Sequence, residues 1–516
     1  MAVQNIIIEN IRLDIDCTDD DAIKEAARRL NQTPENPGKI YKKSIDARHK
    51  NNIKFVYSVI FGEKNNDFNK IKVKSIDKPQ KYPPIVAGFG PAGMFCALAL
   101  VENGYNPVIF EMGANIDKRI KKVDELFNNG TLDEKTNICF GEGGAGTFSD
   151  GKLVTRINDE YCGYVLNKFV EFGASDNILY QAKPHIGTDK IRVITKKIRE
   201  EIIKNGGEIY FDSEVTDINI NSDYVEIVIN NKDKFKTSGL FLATGHSSFG
   251  LYDLLLKKSF SVMPKAYSVG LRIEHRQNYI DEIIYGNCAG HKNLPPAEYV
   301  LSHKTQNTRG VYSFCMCPGG IVVNSSSHNG GIVTNGMSYS DRAGENANAA
   351  VAVSILPEDY GNNIIGAFEF RKKLEEAAFK IKNQDFTAPV QTLGDYMKKR
   401  TGSLQKSKVK PLYAGKIIEY DLNKIFPEFI NQTLKSGLIK FDKTLKGYFD
   451  NNAILTAPET RTSSAVRILR DNFTLASVDC ENIYPCGEGA GYAGGITSSA
   501  IDGIKCAVKY MEKYNK

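Results

Sequence analysis

An α/β fold is predicted by three features of this 516-residue chain. Residues Ile85 to Glu111 read as strand, glycine turn, helix and strand. Two later stretches return to the same sheet: a run of short strands ending in Ala243-Thr244-Gly245, and a strand, glycine turn and helix from Asn482 to Tyr510. Between them, residues 251 to about 455 lack another strand–glycine–helix unit and read as an inserted α+β substrate or cap domain. The expected divisions are 1–80, a small α+β domain; 81–250, the first part of the sheet domain; 251–455, the insert; and 456–516, the closing part.

The 85–111 unit is the most informative. Ile85, Val86 and Ala87 lead into Gly88, Gly90 and Gly93, the glycines of a G-x-G-x-x-G. Gly88 permits the tight turn, Gly90 lets a pyrophosphate approach the backbone, and Gly93 lets helix and strand pack closely. Pro91, followed by Ala92, suits the first helical turn, where a missing N–H costs nothing. The apolar helix stops at Asn103-Gly104, and its free N–H groups face an anion. Val108 to Phe110 form the second strand. Glu111, followed by Met112, ends it, placed to accept hydrogen bonds from a ribose diol. This is a Rossmann-like unit for a dinucleotide.

Bulk composition is ordinarily globular, with 41% hydrophobic and 25% charged residues. A net charge of +6 does not by itself imply nucleic acid. No signal peptide or membrane-spanning run is read, so the expected setting is cytoplasmic with no membrane partner. The ten cysteines are scattered and read as reduced thiols. No C-x-x-C pair occurs, which argues against zinc or iron–sulfur chemistry; no metal is expected.

In chain order, Ile6 to Ile15 reads as a strand, Thr18 to Asp21 as a capping box for a helix over Ala22 to Leu30, and Ile40–Ile45 with Ile53–Phe61 as a strand pair. Lys39, Lys42, Lys43, Arg48, Lys50 and Lys54 face only Asp46 in that hairpin, a weak sign of an acidic or RNA partner. Lys78 to Pro84 is a linker. A helix over Ile116 to Asn129 carries Arg119. Then Cys139 to Leu153 supplies Gly141, Gly143, Gly144, Ala145, Gly146, Thr147 and Ser149, a loop of N–H groups and hydroxyls suited to phosphate or flavin edges. Val215 stands where a two-part domain of this kind sets a residue against adenine. The closing turn has Gly487, Glu488, Gly494, Gly495 and Ile496. Its acid can hold ribityl hydroxyls, and its helix start aims at a flavin carbonyl.

Six stretches, GFGPAG, CFGEGGAGTFSDGKL, KPHIGTDK, YSFCMCPGG, ETRTSSAVRILRD and YPCGEGAGYAGGITSSAIDGI, resemble bacterial FAD-dependent dehydrogenases of unassigned substrate within the glutathione-reductase-like flavoprotein superfamily. The resemblance covers most of the chain beyond residue 80 and implies a Rossmann-like FAD-binding domain with a ferredoxin-like N-terminal extension. It implies FAD held by Gly88, Gly90, Gly93, Glu111, the Gly141–Thr147 loop, Thr244-Gly245 and the Gly487–Ile496 turn. Many relatives have Asp where this chain has Glu488.

The resulting expectation is an FAD-dependent oxidoreductase acting on a small molecule that is unsaturated or C–H-activated. NADH, NADPH or a partner protein would be the external electron donor. A flavin-dependent RNA-modifying enzyme and a flavoprotein subunit of a partner complex are the alternatives, with nucleic acid the less favoured partner. His185 is a candidate acid–base or flavin-contacting group. Arg272, Glu274 and His275 could hold an anionic substrate or form an ordinary surface cluster, and Arg461 and Arg467 could reach the substrate face. Alternation along Tyr312 to Cys317 predicts Ser313, Cys315 and Cys317 on one face, lining the substrate side of the flavin, with Cys315 and Cys317 as candidate redox thiols.

Overall fold

The computed structural model describes residues 5–30, 34, 36–50, 52–62, 71, 80–155, 157–305, 309–382 and 385–514. Part of the expected linker, Lys78 and Pro79, lies outside the described residues.

Strands β1 (Ile6–Asp14), β2 (Gly38–Asp46) and β3 (Lys54–Phe61) form an antiparallel sheet in the order β1-β3-β2. Helix α1 (Asp19–Arg29) starts on the predicted capping box: Thr18 accepts from the Asp21 backbone, and the Asp21 carboxylate accepts from the Thr18 N–H. Buried Ala22 and Ala26 lay it on the sheet. The described residues here give β-α-β-β, the first four elements of the ferredoxin-like pattern. The basic hairpin does not face Asp46 alone. Lys43 pairs with Asp19 at 2.7 Å and Lys54 with Asp14 at 2.5 Å, while Arg48 takes Asp46 at 2.6 Å.

The centre is a five-stranded parallel sheet. Its order is Ile483–Pro485, Leu240–Leu242, β4 (Ile85–Ala87), β5 (Val108–Phe110) and Glu208–Tyr210. Helix α2 (Pro91–Glu102) follows β4 and is buried on almost every side, so its sequence is apolar throughout rather than striped. The last helix, Ile496–Tyr514, crosses it closely: a Cβ at Gly503 would lie 2.0 Å from the Ala92 carbonyl. The β-meander Val215–Ile220, Val225–Ile229 and Asp233–Thr237 leads back to Leu240; its third strand goes beyond the predicted ones.

The insert is built on a seven-stranded mixed sheet whose middle is a ten-residue pairing of Tyr267–Arg276 with Asn346–Ile355. Val269, Leu271 and Ile273 share the main core with Leu434 and Leu438 of the helix Glu428–Thr444. The alternate residues Arg272 and Glu274 project from the opposite face. Strand Ile454–Glu459 belongs to this sheet and straddles the 455/456 division expected from sequence. The chain re-enters the central domain by pairing Val262–Pro264 with Val466–Ile468. Among the described residues no helix is long and apolar enough to cross a membrane, and no cluster of His, Cys, Asp and Glu could hold a metal ion.

Candidate functional site

A cavity of about 380 Å³ opens where the central parallel sheet meets the insert. Strand β4 delivers Gly88 and Gly90 to its floor at the start of α2, and Thr244 and Gly245 follow the neighbouring strand. Two helices begin here, α2 and Ile496–Tyr514, so two sets of free N–H groups and two positive dipole ends converge on one space.

Seventeen of the 22 expected cofactor-contacting residues line this cavity, and five do not. Those five hold the cradle in shape. A Cβ on Gly93 would lie 1.9 Å from the Gly88 carbonyl oxygen, which is why the helix can sit so close to the turn. Gly143 adopts φ 85° and donates its N–H to the Phe89 carbonyl at 2.9 Å. The Thr147 side chain is fully buried and donates to the Glu142 carbonyl. Gly487 donates its N–H to Asp502 at 2.7 Å.

Arg119, expected to meet the cofactor, is instead 0% exposed beneath the loop. Its guanidinium donates to the carbonyls of Asn137, Ile138 and Glu142 at 2.9, 2.8 and 2.6 Å and stacks on Phe148. Burial lowers its pKa to about 10, which still leaves it charged at neutral pH. It fixes the shape of the glycine loop from behind.

Glu111 does line the cavity, but its carboxylate already accepts three backbone N–H groups. These are Phe89 at 2.8 Å on one oxygen, with Gly113 at 3.0 Å and Gly141 at 2.9 Å on the other. It therefore ties the first glycine turn to the second glycine loop, a role that its place at the end of β5 alone did not reveal.

The candidate catalytic residues separate. The pairing of strand Gly310–Cys317 with Asn346–Ile355 shifts register between Phe314 and Cys317, and Cys315 takes φ 44°. The alternation predicted from sequence therefore fails. Phe314 and Cys315 both line the cavity, Cys317 is fully buried, and Ser313 is occupied by the Leu301 N–H at 2.7 Å. His185 is not at this cavity. Its Nε2 meets the Ser340 carbonyl at 3.2 Å, and the residue lines a second cavity of about 490 Å³ beside the N-terminal sheet.

Arg272, Glu274 and His275 are each 0% exposed, so they are not a surface cluster. Arg272 lies just under the cavity wall, bridging Glu459 at 2.6 and 3.0 Å, Asn348 at 2.6 Å and Asn335 at 3.1 Å. Burial opposes its charge, but Glu459 outweighs burial and raises its pKa. Arg461 reaches the cavity while pairing with Glu375 at 2.9 Å and His328 at 2.9 Å. Arg467 does not reach it and covers the Tyr492 ring.

Sequence reading missed Lys152, His246 and Asn335, which also line the cavity. Lys152 follows the glycine loop directly and could have been singled out. His246 likewise follows Thr244-Gly245 directly, whereas Asn335 is brought in by the insert, remote from the glycine motifs. His246 Nδ1 stands 3.5 Å from the Glu488 carboxyl. Burial, with Arg371 and Arg461 nearby, lowers the imidazole to about 3, so it stays neutral. Burial raises Glu488 to about 7 against Lys265 and Arg371. The cavity thus holds a carboxyl able to take or give a proton near neutrality.

A flavin dinucleotide fits this lining. A Cβ on Gly90 would find its nearest neighbour at 3.6 Å, one on Gly495 at 3.8 Å, and one on Gly245 or Gly494 nothing within 4 Å. Each glycine leaves open cavity space that a side chain would fill.

Residues 266–462 match the family described as FAD-dependent protein, C-terminal domain-like, and residues 5–61 match a domain of unknown function. A protein of Clostridium beijerinckii, described as uncharacterized, is 42% identical over 530 residues, spanning 99% of both chains. The halogenase PltM, solved with ethyl mercury and mercury, superposes with TM-score 0.35 at 12% identity over 84% of this chain and 70% of its own. The tetracycline destructase Tet(55) gives TM-score 0.36 at 10% identity over 85% of each chain.

Proposed function

The chain belongs to the same family as the Clostridium beijerinckii protein, and from that premise we propose that it is an FAD-binding oxidoreductase acting on a small molecule. The observation that carries this reading is the convergence of two helix N-termini and four open glycines on one cavity. The match of residues 266–462 to the FAD-dependent domain supports it.

In this reading the start of α2 and Gly90 receive the pyrophosphate, and Val215 with the turn after Leu242 flanks the adenosine end. The N-terminus of Ile496–Tyr514 faces the ring end. When bound, FAD supplies hydride or electron transfer, which no side chain of the cavity performs alone. The chain's own groups do the rest. Phe314, Cys315 and Asn335 form the wall from the insert, against which a substrate is held. Arg461 shapes that wall with its charge held by Glu375, and Glu488 holds or releases a proton beside neutral His246. NADH, NADPH or a protein donor would deliver electrons from outside. Three of the six hairpin cations, Lys43, Arg48 and Lys54, are already paired with carboxylates, so we favour the small-molecule reading over the RNA alternative.

The test is to purify the protein, release its cofactor by heat and identify it by chromatography. We expect one FAD per chain. Recovery of FMN, or no flavin after reconstitution, overturns the reading. Anaerobic bleaching with NADH, NADPH and a metabolite panel then identifies the donor and the substrate class.

A further inference from the structure

The second cavity, of about 490 Å³, lies where the N-terminal sheet, the central domain and the insert meet. Its walls are pinned by hydrogen bonds. Strand β2 docks on the central domain through its backbone: the Lys43 N–H donates to the Tyr180 carbonyl at 2.8 Å, and the Ala182 N–H to the Lys43 carbonyl at 2.9 Å. The insert closes the same corner, with the Asn293 amide donating to the Ile15 carbonyl at 2.9 Å and His291 standing 3.2 Å from Asp16. The N-terminal domain is therefore one fixed wall of this cavity, and it supplies Lys43, Ile45, Ala47 and Phe55 to the lining.

Two ion pairs separate this space from the first cavity. Asp150 and Lys152 line the first, and their partners Arg342 and Glu298 line the second. Arg342 meets the two Asp150 oxygens at 3.0 and 2.5 Å, and Lys152 meets Glu298 at 3.2 Å. Lys183 takes the other Glu298 oxygen at 3.1 Å. Burial opposes the charge on Glu298, but Lys152, Lys183 and Arg342 outweigh it and hold the carboxyl at about 2. The one carboxylate of the lining is thus ionised and already taken by two ammonium groups.

The remaining charges are one-sided. Lys43 is held by Asp19 at 2.7 Å, but Lys190 and Lys292 also line the cavity, and among the described residues neither has a carboxylate partner. Both are exposed, so they stand at the mouth. His185 adds no charge at neutral pH, because burial and Arg342 lower its pKa, and its Nε2 is occupied by the Ser340 carbonyl at 3.2 Å. Deeper in, Phe55, Ile186 and Tyr285 are buried and apolar, and Leu294 and Pro295 extend that surface. An apolar body laid there leaves water on both sides of the contact, while unpaired ammonium groups at the entrance select an anion.

We propose that the second cavity is a binding site for a small organic carboxylate, its apolar body inside against Phe55, Tyr285 and Leu294 and its anionic head at the mouth with Lys190 and Lys292. The N-terminal domain completes this site, which gives that domain a function. The proposal goes beyond the oxidoreductase reading and does not rest on it, since the site shares no lining residue with the first cavity. The cavity is large enough for a ligand of ordinary metabolite size.

The test titrates the full-length protein, as purified, by calorimetry. The probes are 2-naphthoate and decanoate, the two matching amides as uncharged counterparts, and inorganic phosphate as an anion without a body. At least one carboxylate should saturate one site per chain, its amide should bind at least about tenfold more weakly, and phosphate should not compete with it. Lys190→Gln and Lys292→Gln should each weaken binding about two- to fivefold, and together about tenfold. Ala182→Phe, which fills the cavity from the central-domain side, should abolish binding and leave flavin content at the wild-type level. If that variant does not fold, the double lysine variant, altered only at exposed side chains, decides alone. No saturable binding of either carboxylate at millimolar concentration overturns the proposal. So does equal affinity for the amide, unchanged affinity in the double lysine variant, retained binding in folded Ala182→Phe, or displacement by added FAD, which would place the probe in the first cavity. The readout needs no flavin, so carboxylate binding by a protein that takes up no FAD removes the oxidoreductase reading alone.

Discussion

Replacing Glu111 with Gln tests whether the two glycine segments are held together by one carboxylate. The native side chain accepts from Phe89 on one oxygen, and from Gly113 and Gly141 on the other. An amide has one acceptor oxygen. Its best placement keeps the Gly113 and Gly141 bonds and turns an NH₂ group toward the Phe89 N–H. One charge-assisted bond is then lost, two donors face each other in a buried setting, and the two remaining bonds lose the charge of their acceptor. A hydrogen bond to a charged group contributes about 1.5–3 kcal/mol, and a stranded buried donor costs about 1–3 kcal/mol. The expected destabilisation is therefore about 2–4 kcal/mol, felt at the cavity floor. Denaturant unfolding of the flavin-free protein should show it as a lower midpoint, and FAD titration as affinity at least about tenfold weaker. Glu111→Arg should be worse, because it sets a second buried cation near Arg119. An unchanged midpoint together with an unchanged FAD dissociation constant would refute the reasoning.

Two further outcomes follow from particular atoms. Gly93→Ala places a methyl 1.9 Å from the Gly88 carbonyl and should cost about 1–3 kcal/mol or more in thermal unfolding, whereas Gly494→Ala, with nothing within 4 Å, should leave stability intact and weaken only FAD binding; equal effects of the two on stability would contradict the close approach at Gly93. Glu274 is fully buried, accepting from Asn346 and the Leu412 N–H on one oxygen while its other oxygen has no partner, and burial raises it to about 7. Its folded pKa lies above the unfolded value near 4.5, so the stability it contributes is fully present below that value and is lost as pH rises through about 7. Once the carboxyl is fully ionised the loss reaches roughly 3 kcal/mol, because each tenfold change in a protonation constant corresponds to about 1.4 kcal/mol. Glu274→Gln should flatten this part of the stability–pH curve, and an identical curve would show that Glu274 does not titrate there.

The local features of this protein were legible in its sequence because their physics is local. The turn at Gly88 and Gly90, the close packing at Gly93 and the capping box at Thr18 depend on residues a few positions apart, and spacing alone specifies them. The Gly494–Ile496 helix start is of the same kind. What only the tertiary structure decided involves partners distant in the chain. Asn346–Ile355, rich in alanine, gives no strand signal by itself. It forms a central strand because Tyr267–Arg276 and Gly310–Cys317 pair on its two sides. Arg119 carries a charge that reads as surface or ligand-binding, yet it is buried because the Asn137–Glu142 loop turns its carbonyls inward. Cys315 and Cys317 read as one face of a regular strand, and a bulge against Ala349 moved them to different sides of the cavity wall. Period-two patterns assume an unbroken ladder, and whether a ladder breaks is set by the strand that pairs with it.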